Sequence, residues 1–242
     1  MIITSKSNPV IKDIIKLQSD KKFRTAEKSY IVEGIKPVKE CISAGCDVKK
    51  VFCTEEFGKV FDGAQIVSES VFNAISTEKT PQGVLAVVAL PEIEIQPPKS
   101  SCILLDRLQD PGNLGTIIRT ANAAGYNEIY AINCTDPYSP KAVRASMSGI
   151  FFVKVYTGTS DEILAALEGV PLISADMSGE DIFKFAPPDK FCLCIGNEGG
   201  GLSSEIKEKS QFKVRIPMQK TCESLNAAVS AGIAMYQLKY RR

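Results

Sequence analysis

The chain contains no histidine and no tryptophan among its 242 residues. The absence of histidine excludes Ser-His-Asp and Cys-His nucleophilic sites, zinc sites with histidine ligands and any imidazole general base. If the protein is an enzyme, other groups must therefore handle its protons. Positive charge is not in excess either, because 29 Lys and Arg residues stand against 28 Asp and Glu residues. Composition alone thus does not predict attraction to nucleic acid.

Long apolar segments are also missing, since no run approaches the roughly 20 residues that a membrane-spanning helix needs. The start of the chain, MIITSKSNPVIKDIIKLQ, lacks the apolar core of a signal peptide. The eight cysteines show no paired C-x-x-C spacing, so we predict no metal site. Most of them lie within apolar, strand-like segments, which indicates reduced thiols. We therefore expect a cytoplasmic protein.

Hydrophobic residues make up 44% of the chain, enough to bury a core. The proline-rich segment PEIEIQPPK predicts a linker at residues 91–100, between domains at residues 1–90 and 101–242. Charge is uneven within the first domain, because residues 1–50 carry a net charge of +5. Aromatic residues lie among these cations, which suits stacking on nucleic acid bases, although a solvated helix face would give the same pattern.

Hydrophobic periodicity predicts an α/β fold for both domains. In the first, we expect helices over residues 9–18 and 35–44 and strands at Tyr30–Val32, Lys50–Cys53, Gln65–Val67 and Gly83–Leu90. In the second, apolar segments alternate with helical segments at about residues 113–124, 160–168 and 224–239, which predicts a mostly parallel sheet buried on both faces. Its expected strands are Ser101–Asp106, Glu128–Ile132, Phe151–Tyr156, Pro171–Ala175, Phe191–Ile195 and Phe212–Ile216.

Three unusual loops follow strands of the second domain, and the carboxyl ends of parallel strands gather at one edge where ligands bind. In the first loop, Pro111, Gly112 and Asn113 form a turn that starts a helix. Arg119 follows at the border of the apolar stripe and leans toward position 115. Because position 115 is glycine, we expect the guanidinium to reach back toward the loop. A surface arginine beside a tolerated glycine is the alternative.

The second loop, IGNEGGGLS, combines four glycines with Glu198, and Ser203 is the expected cap of the helix that follows. It matches neither the P-loop pattern nor the G-x-G-x-x-G dinucleotide pattern. The third loop places Glu223, Ser224 and Asn226 at the start of the last helix, with Ser224, or Thr221 with Ser224 three residues on, as the candidate cap. That helix has an apolar stripe for packing in the core or in a dimer, formed by Leu225, Val229, Gly232, Ile233 and Tyr236.

Together the segments DPGNLGTIIRTANAAG, IGNEGGGLS and IPMQKTCESLNAAVS resemble the three signature motifs of the SpoU (TrmH-type) RNA 2′-O-ribose methyltransferases. Residues 1–90 resemble the ribosomal-protein-like substrate-binding domain found in this family. The resemblance implies a SPOUT-type α/β domain with a deep trefoil knot and S-adenosylmethionine as the cofactor. It also implies a homodimer to which the last helix contributes, and it implies RNA, with ribosomal RNA as the expected class, as the substrate.

The resemblance also implies functions for individual residues. The family's catalytic positions correspond to Asn113, Arg119, Glu198, Ser224 and Asn226. Its cofactor contacts correspond to Gly196, Ile216, Met218 and Leu225. The chain departs from the family at Lys220, where members often carry glycine, which changes the loop beside the cofactor or adds a charge toward the RNA.

The family's arginine is proposed as a general base, but lowering an arginine pKa from its ordinary value to about 7 costs roughly 7.5 kcal/mol. We therefore hypothesise that Arg119 stabilises the developing alkoxide as a cation, while substrate phosphate or solvent receives the proton. Three alternatives stay open from the sequence: the same chemistry on tRNA, a non-catalytic RNA-binding assembly factor, and a small-molecule dehydrogenase, which the glycine spacing disfavours.

Overall fold

The computed structural model describes residues 2–240 and contains two separate β-sheets. The first sheet and its helices comprise α1 (Pro9–Ser19), α2 (Lys21–Ala26), β1 (Ser29–Glu33), α3 (Ile35–Ser43), β2 (Val48–Cys53), β3 (Gln65–Ile66), α4 (Glu69–Ile75) and β4 (Val84–Ala89). The second group comprises β5 (Cys102–Asp106), α5 (Pro111–Ala124), β6 (Glu128–Ile132), α6 (Pro140–Ala145), β7 (Lys154–Gly158), α7 (Ser160–Ala166), β8 (Leu172–Asp181), β9 (Cys192–Ile195), α8 (Ser204–Lys209), β10 (Phe212–Arg215) and α9 (Ala227–Tyr240).

The first sheet has the order β1-β4-β2-β3, with β4 antiparallel to both of its neighbours. Helix α1 begins at Pro9 because the Asn8 side chain accepts a 3.0 Å hydrogen bond from the backbone N–H of Val10. Helices α1 and α4 bury Ile14 and Phe72 against one face of the sheet, around Leu85. The predicted α/β character of this region is confirmed.

The second sheet has six parallel strands in the order β10-β8-β9-β5-β6-β7. The central strands β5, β6 and β9 are buried along their whole length, which explains their continuous apolar sequence. The predicted fold class, a mostly parallel α/β domain beside a smaller α/β region, is confirmed. Within residues 2–240, every helix is too short or too polar to cross a membrane.

Three predicted element boundaries were wrong, each for a local reason. The strand expected at residues 151–156 starts at Lys154, because a 3₁₀ turn occupies Gly149–Phe151. The strand expected at residues 171–175 continues to Asp181, because its last two residues pair with β10 after a register shift. The last helix starts at Ala227 and not at residue 224, because Asn226 caps it.

The two sheets are joined by a buried ion pair. The Arg24 guanidinium of α2 donates hydrogen bonds of 2.9 and 2.7 Å to Asp136, which follows β6. The rings of Tyr30 and Tyr138 pack beside this pair with centroids 5.0 Å apart. Residues 91–100 have no regular structure but are not detached, since the Tyr130 hydroxyl donates a 2.6 Å hydrogen bond to the carbonyl of Gln96. The exact division into domains stays a prediction.

Candidate functional site

Three loops converge at the carboxyl edge of the parallel sheet, as the strand order predicts. The loop after β5 leads into α5, the loop after β9 contains the four glycines, and the loop after β10 leads into α9. One side chain from each loop takes part in a continuous hydrogen-bonded row. These side chains are Asn113, Glu198 and Asn226, which lie far apart in the sequence.

Asn113 is the centre of this row. Its Nδ2 donates a 2.9 Å hydrogen bond to Oε1 of Glu198, and its Oδ1 accepts a 3.0 Å hydrogen bond from Nδ2 of Asn226. Both the nitrogen and the oxygen of the Asn113 amide thus have a hydrogen-bond partner, so the orientation of the amide is fixed. Asn226 in turn accepts hydrogen bonds from the backbone N–H groups of Ala228 and Val229 at 2.9 and 3.3 Å. Asn226 therefore caps α9 as well as holding Asn113.

The Glu198 carboxylate also accepts hydrogen bonds from the backbone N–H groups of Gln109 and Asp110, at 3.5 and 3.4 Å. Partial burial raises the pKa of this carboxyl, but the hydrogen bonds from the Asn113 side chain and from backbone N–H groups outweigh it, so the pKa lies below its ordinary value. Glu198 is thus a carboxylate at neutral pH. Its negative charge joins the glycine-rich loop to the start of α5.

The start of α5 is held from a second side by α6. Oδ1 of Asp110 accepts a 2.8 Å hydrogen bond from the backbone N–H of Asn113, which makes Asp110 the helix cap. Oδ2 of Asp110 lies 2.6 Å from the ammonium of Lys141 in α6. The Lys141 hydrogen bond, followed by that from the Asn113 backbone, lowers the pKa of Asp110. The Asp110 cap and Lys141 were not predicted as site residues, although D-P-G-N is a recognisable helix-start signal.

The glycine-rich loop is closed upon itself by Asn197, whose backbone exchanges hydrogen bonds of 3.0 and 2.9 Å with Gly201. Asn197 also donates a 2.8 Å hydrogen bond from Nδ2 to the carbonyl of Arg107 in the loop after β5. A Cβ at Gly196 would lie 2.2 Å from the carbonyl carbon of Gly201, so this closed loop requires glycine at position 196. Ser203 lies at the start of α8 as predicted, but its side chain makes no capping hydrogen bond.

A cavity of about 290 Å³ lies beside the row of side chains, between the ends of β8, β9 and β10 and the start of α9. All four residues predicted to bind the cofactor line it, together with Glu198 and Ser224. They are Gly196, Ile216, Met218 and Leu225. Apolar walls suit an adenine ring, and the backbone groups exposed at Gly196 and its neighbours suit the edges of that ring and of a ribose. The residues present therefore fit S-adenosylmethionine.

Arg119 does not lie in this cavity. Its side chain is exposed and makes no hydrogen bond or ion pair with any other described residue. The expectation that Gly115 leaves space for Arg119 was wrong. A Cβ at Gly115 would lie 2.3 Å from the carbonyl oxygen of Ala142 and 2.6 Å from Cβ of Ala145, so the glycine allows α6 to pack closely on α5.

One expectation for the third loop was also wrong. Ser224 is exposed and does not cap α9, because Asn226 does. The apolar stripe of the last helix, predicted to pack in the core or in a dimer, is partly exposed in the single chain, with Val229 51% exposed and Tyr236 46% exposed. The face of α9 that packs on the core consists of three alanines and two large residues. They are Ala228, Ala231, Ala234, Met235 and Leu238.

The remaining predicted positions have simple environments. Lys220 is exposed in the loop between β10 and α9. The eight cysteines form no disulfide, and Cys222 is exposed while five others are buried. Within residues 2–240, no three His, Cys, Asp or Glu side chains are grouped so that they could hold a metal ion.

Comparison with known proteins extends over almost the whole chain. Residues 100–236 match the model of the SpoU rRNA Methylase family, and residues 8–86 match that of the MRM3-like substrate binding domain. The chain is 34% identical to the 23S rRNA (guanosine(2553)-2′-O)-methyltransferase RlmP of Bacillus subtilis, with 98% of each chain covered. It is 29% identical to the 23S rRNA (uridine(2479)-2′-O)-methyltransferase of Streptomyces viridochromogenes, over 93% of this chain and 88% of the relative.

Solved structures give the same result. The AdoMet-bound rRNA methyltransferase from Sinorhizobium meliloti superposes with a TM-score of 0.87 at 30% identity, covering 98% of this chain and 97% of that one. The SpoU methyltransferase AviRb from Streptomyces viridochromogenes, in complex with AdoMet, has a TM-score of 0.86 at 27% identity, covering 96% and 97%. The chain therefore belongs to the SpoU rRNA methylase family, which confirms the predicted resemblance, the predicted S-adenosylmethionine-dependent RNA methyltransferase class and the predicted cofactor.

Proposed function

We propose that the protein transfers a methyl group from S-adenosylmethionine to a ribose 2′-hydroxyl of ribosomal RNA. The cavity beside the row of Glu198, Asn113 and Asn226 supports this proposal, because Glu198 lines it together with all four residues predicted to hold the cofactor. The named relatives act on 23S rRNA, which favours ribosomal RNA over tRNA. When bound, the cofactor supplies an electrophilic methyl group, and the chain must align the ribose oxygen with it.

In this proposal, Gly196, Ile216, Met218 and Leu225 hold the cofactor through backbone groups and apolar contact. Ser224 is exposed at the cavity and has a hydroxyl free to orient the ribose. Asn113, Glu198 and Asn226 act as positioning residues, because their hydrogen-bonding groups are already directed at one another.

Arg119 serves as the cation that stabilises the developing alkoxide, with substrate phosphate or solvent receiving the proton. Its exposed position outside the cavity suits action at the site of a second copy of the chain. We propose a homodimer formed across the outer faces of α5 and α9, where Val229 and Tyr236 expose apolar surface. Arg119 then completes the site of the partner. We also propose that the methyltransferase domain contains a deep trefoil knot and that the protein is cytoplasmic.

The region of residues 1–90 is proposed as the RNA substrate-binding domain, joined by residues 91–100 to the methyltransferase domain of residues 101–242. The match of residues 8–86 to a substrate binding domain supports this assignment. The net charge of +5 in residues 1–50 suits contact with phosphates. The ion pair of Arg24 with Asp136 then sets the direction from which the RNA enters the site.

Ribose methylation mapped across total RNA, with and without the protein, tests this proposal. We expect one ribosomal 2′-O-methyl group to disappear when the protein is removed and to return with the wild-type gene. Loss of a tRNA 2′-O-methyl group instead would support the alternative substrate. If no RNA changes and calorimetry detects no binding of S-adenosylmethionine, the protein is a non-catalytic RNA-binding assembly factor.

A further inference from the structure

A second cavity lies at the same edge of the parallel sheet, on the other side of β5 from the cofactor cavity. It has a volume of about 490 Å³ and is bounded by the ends of β6 and β7 and by helix α2 of the first region. Neighbouring strands lie about 4.8 Å apart, so the cavity begins one to two strand spacings from the loop that leads to Asn113. One RNA strand can therefore reach both places.

The rim of this second cavity is hydrogen-bonded directly to the loop after β5. The Gln109 side chain donates a 3.4 Å hydrogen bond to the carbonyl of Asn133, and the backbone N–H of Thr135 donates a 2.8 Å bond to the carbonyl of Leu108. The backbone N–H of Gln109 approaches Glu198 at 3.5 Å. The second cavity and the row at Asn113 are thus parts of one connected edge.

Several polar groups at the second cavity have no partner among the described residues. They are the side chains of Lys21, Asn133, Thr135 and Thr157 and the hydroxyl of Tyr138. The acidic groups, by contrast, are engaged, since Asp136 pairs with Arg24 and Glu162 accepts hydrogen bonds of 2.8 Å from the backbone and hydroxyl of Thr159. What is left without a partner among the described residues is one cation, one amide and three hydroxyls, a set that suits a nucleotide.

We propose that the second cavity binds one nucleotide of the substrate RNA, adjacent to the nucleotide that is methylated. The Asn133 amide offers both donors and an acceptor, which is how asparagine recognises the edge of a base. Lys21 contacts a phosphate of the same strand. This inference rests on the proposed function. It adds a residue outside the three signature loops, Asn133, that contributes to the choice of RNA sequence.

The first test removes the amide without changing charge. Asn133 has a φ of +49°, which glycine adopts without strain, so Asn133→Gly preserves the backbone that Gln109 contacts. The matched control is Asn127→Gly, at the opposite end of β6. Methyl transfer is measured on ribosomal RNA purified from cells that lack the protein, and thermal unfolding checks that each variant folds.

For Asn133→Gly we expect the KM for RNA to rise about tenfold, which corresponds to about 1.4 kcal/mol. The kcat at saturating RNA and the KM for S-adenosylmethionine stay within about twofold of wild type, as only RNA binding is affected. Asn127→Gly leaves all three values unchanged. A KM for RNA that is unchanged in Asn133→Gly would overturn the proposal, as would an equal rise in the control.

The second test concerns the phosphate contact, with two neighbouring lysines as a matched pair. Lys21 lines the cavity, whereas Lys22 is exposed on the same helix outside it. For Lys21→Gln, the slope of log affinity for this RNA against log salt concentration falls by about 0.7, the value for one contact with a single strand. Equal slopes in Lys21→Gln and Lys22→Gln would contradict a localised contact. Wild-type protein that methylates none of this RNA would count against the proposed function itself.

Discussion

The Asn226 side chain donates a 3.0 Å hydrogen bond to Oδ1 of Asn113, although Asn113 lies in the first turn of α5 and Asn226 in the loop before α9. The same side chain accepts hydrogen bonds from the first backbone N–H groups of α9. The Asn226 amide therefore caps the last helix and also orients Asn113, the central residue of the site. This double use allows the stability and the activity of the protein to be separated by substitution.

Asn226→Asp and Asn226→Ala are predicted to differ in stability but not in activity. Aspartate is a good helix cap, so Asn226→Asp keeps the cap of α9 although its carboxylate then faces Oδ1 of Asn113, while Asn226→Ala loses the cap and with it about 1 kcal/mol. Neither variant can donate to Asn113, and we expect kcat to fall at least about tenfold in both. Urea unfolding and methyl transfer measure the two effects. Full activity of Asn226→Asp would show that the hydrogen bond to Asn113 is dispensable.

Gly115→Ala is predicted to destabilise the protein even though alanine is the better helix former. The added Cβ would overlap the Ala142 carbonyl oxygen, at 2.3 Å, and α6 would have to move. Such overpacking costs about 1–3 kcal/mol, against a gain of at most about 1 kcal/mol in helix propensity. Thr116→Ala, at the exposed neighbouring position, is the control for urea unfolding. A stabilised Gly115→Ala would refute the close packing of α5 on α6.

The pKa of Glu198 predicts how the site responds to acid. Because the folded-state pKa lies below the ordinary value of 4.5, the carboxylate contributes stability that is present above that value and lost as the pH falls through the folded-state pKa. The difference in unfolding free energy between wild type and Glu198→Gln should therefore be constant near neutral pH and shrink below about pH 4.5. Urea unfolding at several pH values measures this. A difference that grows with acidity would contradict the assigned direction.

The parallel sheet and the meeting of three loops could be predicted from the sequence, because strands such as β5, β6 and β9 are continuously apolar and parallel strands end at one edge. The function of Gly115 could not. The atoms that it contacts belong to α6, a helix of six residues that is too short to show a hydrophobic period. Lys141 belongs to the same short helix, and its contact with Asp110 was not predicted for the same reason.

The last helix shows a second limit of sequence patterns. Its large apolar residues predicted a stripe that packs in the core or in a dimer, and in the single chain Val229 and Tyr236 are exposed, while Ala231 and Ala234 are buried. A Cβ built at Gly232 would lie 3.6 Å from Cγ2 of Thr120 in α5, an ordinary van der Waals distance, so part of the stripe lies beside α5. Hydrophobicity alone does not distinguish a face buried within the chain from one available to a second copy.

Arg119 lies six residues after Asn113 in α5, so the two side chains are separated by about 9 Å along the helix axis and by about 120° around it. This separation predicts that Arg119 acts in a homodimer at the partner's site. Arg119→Lys keeps the charge but loses the planar fork, and we expect it to lower kcat. Nearly full activity with unchanged pH dependence would exclude any function that needs the guanidinium.

Mixed dimers distinguish action within one chain from action across the dimer. Arg119→Ala and Asn226→Ala homodimers are each expected to be nearly inactive. If Arg119 serves the partner's site, a heterodimer of the two variants contains one site with both residues intact. Equal mixing and subunit exchange should then restore about one quarter of wild-type activity, because about half of the dimers are mixed and each has one working site. No restoration, with dimer exchange verified by mass, would place Arg119 at the site of its own chain.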